Sequence, residues 1–345
     1  MKNLKINIFI PTFNRSHFLP KAIESALKQD YPNLDVIVSD NHSEDDTPEI
    51  VKKYKANKRF KYFRNQKNLG MVGNWRKALK NYLDGDFFLI LSDDDYLIDK
   101  SYISKAVSLI NTNPEILAVY ANGYIIDKSL NKFHELSLPF NNVEEGKKIF
   151  LSRGKIVPQD LTLCNVLFNR EMALQLNAFS NDKDVTCDSE LFLKICLYGK
   201  IGVIKDFVSV YVFHSDNLIN KVNNDYELLI NSLDHLINPY LLAQELNIFS
   251  DDELKNWEER ILKRSIQGTL ATVKAIHKNK YENALEIIKN KNNNLLKDAL
   301  NDPKFRYFII TEKIGIYNFI FDTFEWYKKY KYSKTGQSLE NFNIN

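Results

Sequence analysis

Residues 87–95 read Phe87-Phe88-Leu89-Ile90-Leu91-Ser92-Asp93-Asp94-Asp95: five apolar residues, a hydroxyl, and three adjacent carboxylates. A short run that is apolar at every position fits a strand covered on both faces, as in a parallel sheet. Three successive carboxylates repel one another, and placing them beside a buried strand is costly unless something neutralises them. A divalent cation with oxygen ligands does so. The C-terminal end of a strand in an open α/β sheet is also where ligands bind. The plain alternative is a solvated acidic turn leading to a helix cap at Asp99.

Working outward, the same alternation of apolar runs and helical patterns recurs. Ile6–Ile10 predicts a first strand, Val36–Val38 a second and Phe60–Phe63 a third. Leu19, Ile23 and Leu27 recur every four residues, and Trp75, Leu79 and Tyr82 mark a second helical face. Thr47-Pro48-Glu49 predicts a helix start, with a hydroxyl cap and proline at the first position. Strands alternating with helices imply an α/β domain. Further strands are expected at Ala118–Tyr120, Val166–Phe168 and Val208–Phe213, with a helix at Ser189–Leu197. Beyond residue 220 the pattern becomes helical, at Glu227–Leu246 and Asp252–His277. A boundary is expected within 218–224, giving domains 1–220 (a first half 1–115, a second 116–220) and 221–345.

Composition narrows the function. Lys and Arg number 47 against 44 Asp and Glu, a net charge of +3, which argues against a nucleic-acid binder. The three cysteines, Cys164, Cys187 and Cys196, lack CxxC spacing and fit free thiols in a reducing compartment. The N-terminus has no signal-peptide pattern, and no apolar run reaches the ~18 residues of a membrane span. The expectation is a cytoplasmic protein, free or peripheral at the inner face of the plasma membrane.

Three more polar clusters follow strands: Pro11-Thr12-Phe13-Asn14-Arg15, Asp40-Asn41-His42-Ser43-Glu44-Asp45-Asp46-Thr47, and Asn68-Leu69-Gly70-Met71-Val72-Gly73-Asn74. Each alone reads as a polar turn. The last would suit a phosphate or sugar at a helix N-terminus, but it is not a P-loop. Together, in this order and spacing with Leu91–Asp95, they resemble the GT-A glycosyltransferases of family 2 over residues 5–215.

That resemblance implies a nucleotide-diphospho-sugar transferase fold: a mixed, mainly parallel sheet flanked by helices, with a helical C-terminal extension. Pro11, Thr12, Phe13, Asn14, Arg15 and Asp40 would hold the nucleobase, uracil by default. Asn68, Gly70 and Asn74 would complete the donor site. Asp93 or Asp94 would contact ribose and Asp95 a Mn²⁺ or Mg²⁺ on the diphosphate; Ser92 stands where many relatives carry the first Asp. Asp188, in Cys187-Asp188-Ser189-Glu190, would be the general base, Cys187 replacing the usual first acid. Its alternative is a helix N-cap, and Glu190 is the second candidate. Asp182 and Asp184 read as loop residues. His214, in Tyr211-Val212-Phe213-His214, would complete the metal shell or touch the diphosphate, or be structural.

The resemblance further implies inverting transfer from a UDP-sugar to a hydroxyl of a glycan or lipid-linked glycan acceptor in bacterial surface polysaccharide synthesis. A processive synthase would show membrane spans and Gln-x-x-Arg-Trp, and a sugar nucleotidyltransferase a glycine-rich, basic N-terminal loop; neither pattern is present. A non-catalytic nucleotide-sugar-binding or scaffold protein is the remaining alternative. The aromatic, basic segment Tyr307–Tyr332 suits an anionic membrane interface, or packing on the domain or on another copy in a homo-oligomer.

Overall fold

The computed structural model describes residues 2–155, 164–217, 222, 224–310 and 336–342. They fall into two compact units. The first comprises the chain to Asp182, Cys187–His214 and the segment from Gln337; the second comprises Lys183–Thr186 and Ser215–Gly336.

The first unit opens with strand β1 (Ile6–Thr12), helix α1 (Leu19–Leu27), β2 (Leu34–Asp40), the short α2 (Thr47–Val51), β3 (Phe60–Arg64), α3 (Gly70–Asn81) and β4 (Phe87–Ile90). β1 pairs in parallel with β2 and with β4, and β2 in parallel with β3. Both faces of these strands are covered, which is why their sequences run apolar without alternation: Ile8, Val36 and Leu89 are buried on one face, and Phe9, Ile37 and Phe88 on the other. α1 turns Leu19, Ala22, Ile23 and Ala26 inward, the 3–4 spacing of one helical face. Each fully buried Ile or Leu contributes on the order of 1.5–3 kcal/mol.

The strand pairing then changes. β5 (Tyr96–Leu97), α4 (Tyr102–Thr112), β6 (Ile116–Asp127), β7 (Lys132–Leu136), β8 (Val143–Glu145), α5 (Gly146–Ser152), β9 (Val166–Asn169), α6 (Arg170–Gln175), α7 (Cys187–Ile195) and β10 (Lys200–Phe213) follow. β9 is antiparallel to both β4 and β6, β7 is antiparallel to β6, and β10 runs parallel to β6 and antiparallel to β5 and β8. The sheet is therefore mixed, with its continuous parallel part confined to β3–β2–β1–β4. Near the C-terminus β11 (Gln337–Ser338) adds to the edge at β7, and Phe342 packs against Tyr124 and Phe133.

Three expectations change in detail. Thr47 is the first residue of α2 rather than its cap; the Asp45 carboxylate accepts the Thr47 amide at 3.0 Å. The pattern over 227–246 is two helices, Tyr226–Asn231 and Asp234–Leu246. Asn231 and Ser232 bond their side chains back to the carbonyls of Glu227 and Leu229, which competes with helix continuation. Residues 251–276 are α-helical at both ends, with a π-turn at Glu258–Leu262. Helices Tyr281–Lys291, Asn293–Leu300 and Pro303–Ile310 follow in the second unit. Among the described residues no helix is long and apolar enough to cross a membrane. The aromatic, basic stretch beyond residue 310, and most of the 218–224 boundary, lie outside the described residues.

Candidate active site

The parallel registers set the site. Thr12 is level with Asp40, and Asp40 with Arg64, so the ends of β1, β2 and β3 form one row. The Leu91 amide bonds the Phe9 carbonyl, continuing the ladder past β4 and delivering Ser92–Asp95 beside β1.

Two groups of side chains form there, with different electrostatics. In the first, the Thr12 hydroxyl donates to Asp93 Oδ2 at 2.7 Å. Arg15 Nη1 donates to Asp93 Oδ1 at 3.0 Å and to Asp94 Oδ2 at 2.7 Å. His214 Nε2 lies 3.1 Å from the same Asp94 oxygen, and its ring stacks on Phe18 at 4.8 Å. Burial pushes the Asp93 carboxyl up to about 6 even with Arg15 beside it. Asp95 is only 1% exposed, and burial with the charge of Asp94 holds it well above the ordinary carboxylate range. Its Oδ1 accepts the Val212 amide at 2.9 Å, which ties the acidic turn to β10.

The second group surrounds Asp40. Asp40 is fully buried; Oδ1 accepts the Ser43 amide at 2.7 Å, Oδ2 accepts the Tyr62 hydroxyl at 2.6 Å, and Arg64 Nε stands 3.5 Å from Oδ2. Beside it is a net of amides. Asn41 Nδ2 donates to Asn68 Oδ1 and to the Gly70 carbonyl. Asn74 Oδ1 accepts from the Ser39 hydroxyl and Asn65 Nδ2, while its Nδ2 donates to the Ser39 carbonyl. Gly70 has φ +73°, where a side chain would be strained. Asn74 is thus buried in this net, while the exposed Asn68 and Gly70 join it through the Asn68 Oδ1 and the Gly70 carbonyl at the entry to α3.

Pro11 sits in the β1–β2 ladder opposite Ser39. Phe13, next along, is 40% exposed, a large apolar ring at the strand ends. Asn14 takes φ 53°, tolerable for asparagine; its amide donates to Ser43 Oγ and its Oδ1 accepts the Glu44 amide. Asp45 adds a bond from the Ser16 amide. Ser43 and Asp45 therefore clamp the loop after β2 to the loop after β1, a role that their place in a polar run did not reveal.

Asp188 lies in the first turn of α7 and accepts the Ser189 amide at 2.8 Å. No cation stands within ion-pair reach of it among the described residues, and burial pushes its carboxyl up to about 6. Glu190 differs: it pairs with Lys194 one turn along. Asp182 pairs with Arg76, and Asp184 accepts the Thr186 amide and hydroxyl. Burial first, then Asp95, Asp94 and, more weakly, Asp188 raise the Tyr211 phenol. Tyr211 therefore lies within electrostatic reach of both the acidic turn and Asp188, and sequence alone had given it no role. Among the described residues no three His, Cys, Asp or Glu side chains converge as a ready metal cage.

Comparison with known proteins agrees with this architecture. Residues 7–175 match the family profile described as glycosyl transferase family 2. A 137-residue segment is 43% identical to the Campylobacter jejuni GalNAc(5)-diNAcBac-PP-undecaprenol beta-1,3-glucosyltransferase, covering 39% of this chain and 42% of that protein. A 123-residue segment is 29% identical to the Staphylococcus aureus poly(ribitol-phosphate) beta-N-acetylglucosaminyltransferase TarS, covering 35% of this chain and 21% of TarS. The matched parts span less than half the length of these relatives. Among solved structures, S. aureus TarS 1–349 in complex with UDP-GlcNAc superposes with a TM-score of 0.56 at 19% identity, covering 79% of this chain and 84% of that one. The Pyrobaculum calidifontis mannosyltransferase PcManGT, in complex with GDP-Man and Mn²⁺, does so with a TM-score of 0.52 at 15% identity, covering 93% and 87%. Four strand-end clusters on one mixed sheet and the match over residues 7–175 thus give the chain a glycosyl transferase family 2 region and the GT-A fold.

Proposed function

We propose that the chain is a metal-dependent inverting glycosyltransferase that moves a sugar from a nucleoside-diphosphate sugar, UDP first among them, to a hydroxyl of a glycan or lipid-linked glycan in bacterial surface polysaccharide synthesis. The observation that carries this is the set Thr12–Arg15–Asp93–Asp94–His214, bonded into one cluster at the strand ends, with the half-buried Asp188, which has no ion-pair partner among the described residues, within reach of the shared neighbour Tyr211. UDP-GlcNAc in TarS and the polyprenyl-linked substrate in the C. jejuni enzyme's name support the donor and acceptor classes.

The geometry favours a different division of labour from the one the motif implies. Asp94 and His214 meet at one oxygen and are the pair suited to Mn²⁺ or Mg²⁺, the other ligands being diphosphate oxygens and water. When bound, the ion neutralises charge on the leaving diphosphate. Asp93, held by Thr12 and Arg15, faces ribose. Asp95, tied to the Val212 amide, positions the turn. Phe13 offers its exposed ring to the base, while Asp40, Asn68, Gly70 and Asn74 hold the loops rather than the ligand. Asp188 takes the proton of the acceptor hydroxyl as that oxygen bonds to the anomeric carbon. The bond from that carbon to the diphosphate breaks, and its electron pair leaves with the nucleoside diphosphate. A carboxyl near 6 suits this, being ionised at neutral pH yet basic enough to share a proton.

Calorimetric titration with UDP, dTDP and GDP, each with and without Mn²⁺, tests the reading. Metal-dependent binding of UDP is expected. A folded protein that binds none of the three would make it a non-catalytic scaffold.

A further inference from the structure

The second unit holds a cavity of about 490 Å³, within the range of roughly 300–1,000 Å³ typical of small-molecule pockets. Its apolar wall is Tyr240, Phe249 and Leu254, all buried. Tyr240 lies in the helix Asp234–Leu246, and Leu254 in the helix Asp251–Trp257. Between them Asn247 adopts the left-handed conformation, φ 49° and ψ 43°, which ends the first helix and turns the chain toward Phe249.

Glu258 opens the π-turn beside the cavity and is only 7% exposed. It accepts the Tyr240 hydroxyl and, at 2.7 Å, the Lys255 ammonium. π-turns weaken the regular helical ladder and recur at functional sites. Gln244 Nε2 donates to the Tyr240 oxygen at 3.1 Å, which leaves its own carbonyl oxygen to accept. The Asn247 amide and the Asp251 and Asp252 carboxylates, also at the cavity, have no side-chain partner among the described residues. The lining thus joins an apolar wall to planar amides and carboxylates, groups that bond adjacent hydroxyls. Three carboxylates stand against the single Lys255, itself bonded to Glu258, so phosphates and acidic sugars are repelled.

We propose that this cavity is a carbohydrate subsite that takes a neutral sugar unit, its C–H face on the apolar wall and its hydroxyls on Gln244, Asn247 and the carboxylates. The site lies wholly within the second unit and does not depend on the assignment of the catalytic residues.

The test is saturation-transfer NMR on the full chain with maltotriose, triacetylchitotriose, sialyllactose and spermidine as probes. The comparison protein is the double variant Gln244→Ala/Asn247→Gly, glycine keeping the left-handed turn at 247. Both residues are exposed, so the fold is expected to survive, and UDP titration on the same samples reports the donor site separately. A neutral trisaccharide is expected to bind the wild type and to bind the variant about tenfold more weakly, the loss of two modest hydrogen bonds. UDP affinity is expected to be equal in both. No neutral sugar bound by the wild type, equal binding by the variant, or spermidine or sialyllactose bound in preference would each overturn the proposal.

Discussion

Asp40 is a fully buried carboxylate and Asp188 a half-buried one, and they differ most in what meets their oxygens. Around Asp40 an amide, a phenol and a guanidinium meet its oxygens. Asp188 has backbone amides of its own helix start and, among the described residues, no cation. Burying a charge is tolerable when hydrogen bonds and a counter-ion replace water, and otherwise the group resists ionisation. The first arrangement supports the proposed scaffold role of Asp40. The second leaves Asp188 reluctant to carry its charge, which supports its proposed role as proton acceptor.

The contrast is broken or sharpened most sharply by Asp188→Asn. Transfer is expected to fall by about 10²–10⁴-fold, the usual contribution of a general base, while UDP affinity stays within about twofold. Turnover near wild type would remove Asp188 as the base and return Glu190 to consideration, despite its pairing with Lys194.

The acidic turn offers the same contrast in three adjacent residues. Asp94→Asn is expected to lower Mn²⁺-dependent UDP binding and turnover by about 10²–10³-fold, since the proposed cation ligand and the anchor of Arg15 and His214 go together. Asp95→Ala is expected to preserve metal dependence and to lower Tm instead, because the Val212 amide loses its acceptor. Calorimetry on the two variants separates them; loss of metal dependence in a folded Asp95→Ala would restore Asp95 as the ligand.

Why the sequence left this open is physical. Apolar runs, helical spacing and strand-end polarity are local, and they disclosed the sheet and the four clusters. Which acid in Asp93-Asp94-Asp95 does what depends on where each side chain points, and that is fixed by β10, more than a hundred residues later. Arg15 looked like part of a base-binding turn, yet its guanidinium lies on Asp93 and Asp94. Tyr211 gained a place only when β10 closed against β5 and β6. Two-residue strands such as β11 carry no periodicity at all.

Asp40→Asn should show the opposite profile from Asp188→Asn. Replacing one oxygen with an amide nitrogen sets a donor against the Ser43 amide or against Tyr62 and Arg64. A cost of about 2–4 kcal/mol is expected, read as a lower Tm. The remaining folded protein should keep its metal dependence. A stable Asp40→Asn with UDP binding lost would show that Asp40 contacts the base after all.

The smallest effect is the one with pH, and its sign distinguishes the two carboxylates. Asp188 must be unprotonated to act, so kcat/KM at saturating Mn²⁺ should be level above pH 7 and fall about tenfold by pH 5. Stability should run the other way. The folded-state value near 6 lies above the ordinary 3.8, so the native chain holds this proton more tightly than the unfolded one. The stabilisation is complete below the ordinary value of 3.8, is lost progressively from there upward and is gone once pH has passed about 6, on the order of 1–3 kcal/mol in all. Asparagine resembles the protonated acid at every pH. The Tm of Asp188→Asn should therefore nearly match wild type at or below the ordinary value of 3.8, exceed it already at pH 5 and exceed it further by pH 7, whereas Asp40→Asn should melt lower throughout. A gap for Asp188→Asn that does not widen with pH would mean that Asp188 ionises like an ordinary surface carboxylate, and the electrostatic argument for its catalytic role would fail.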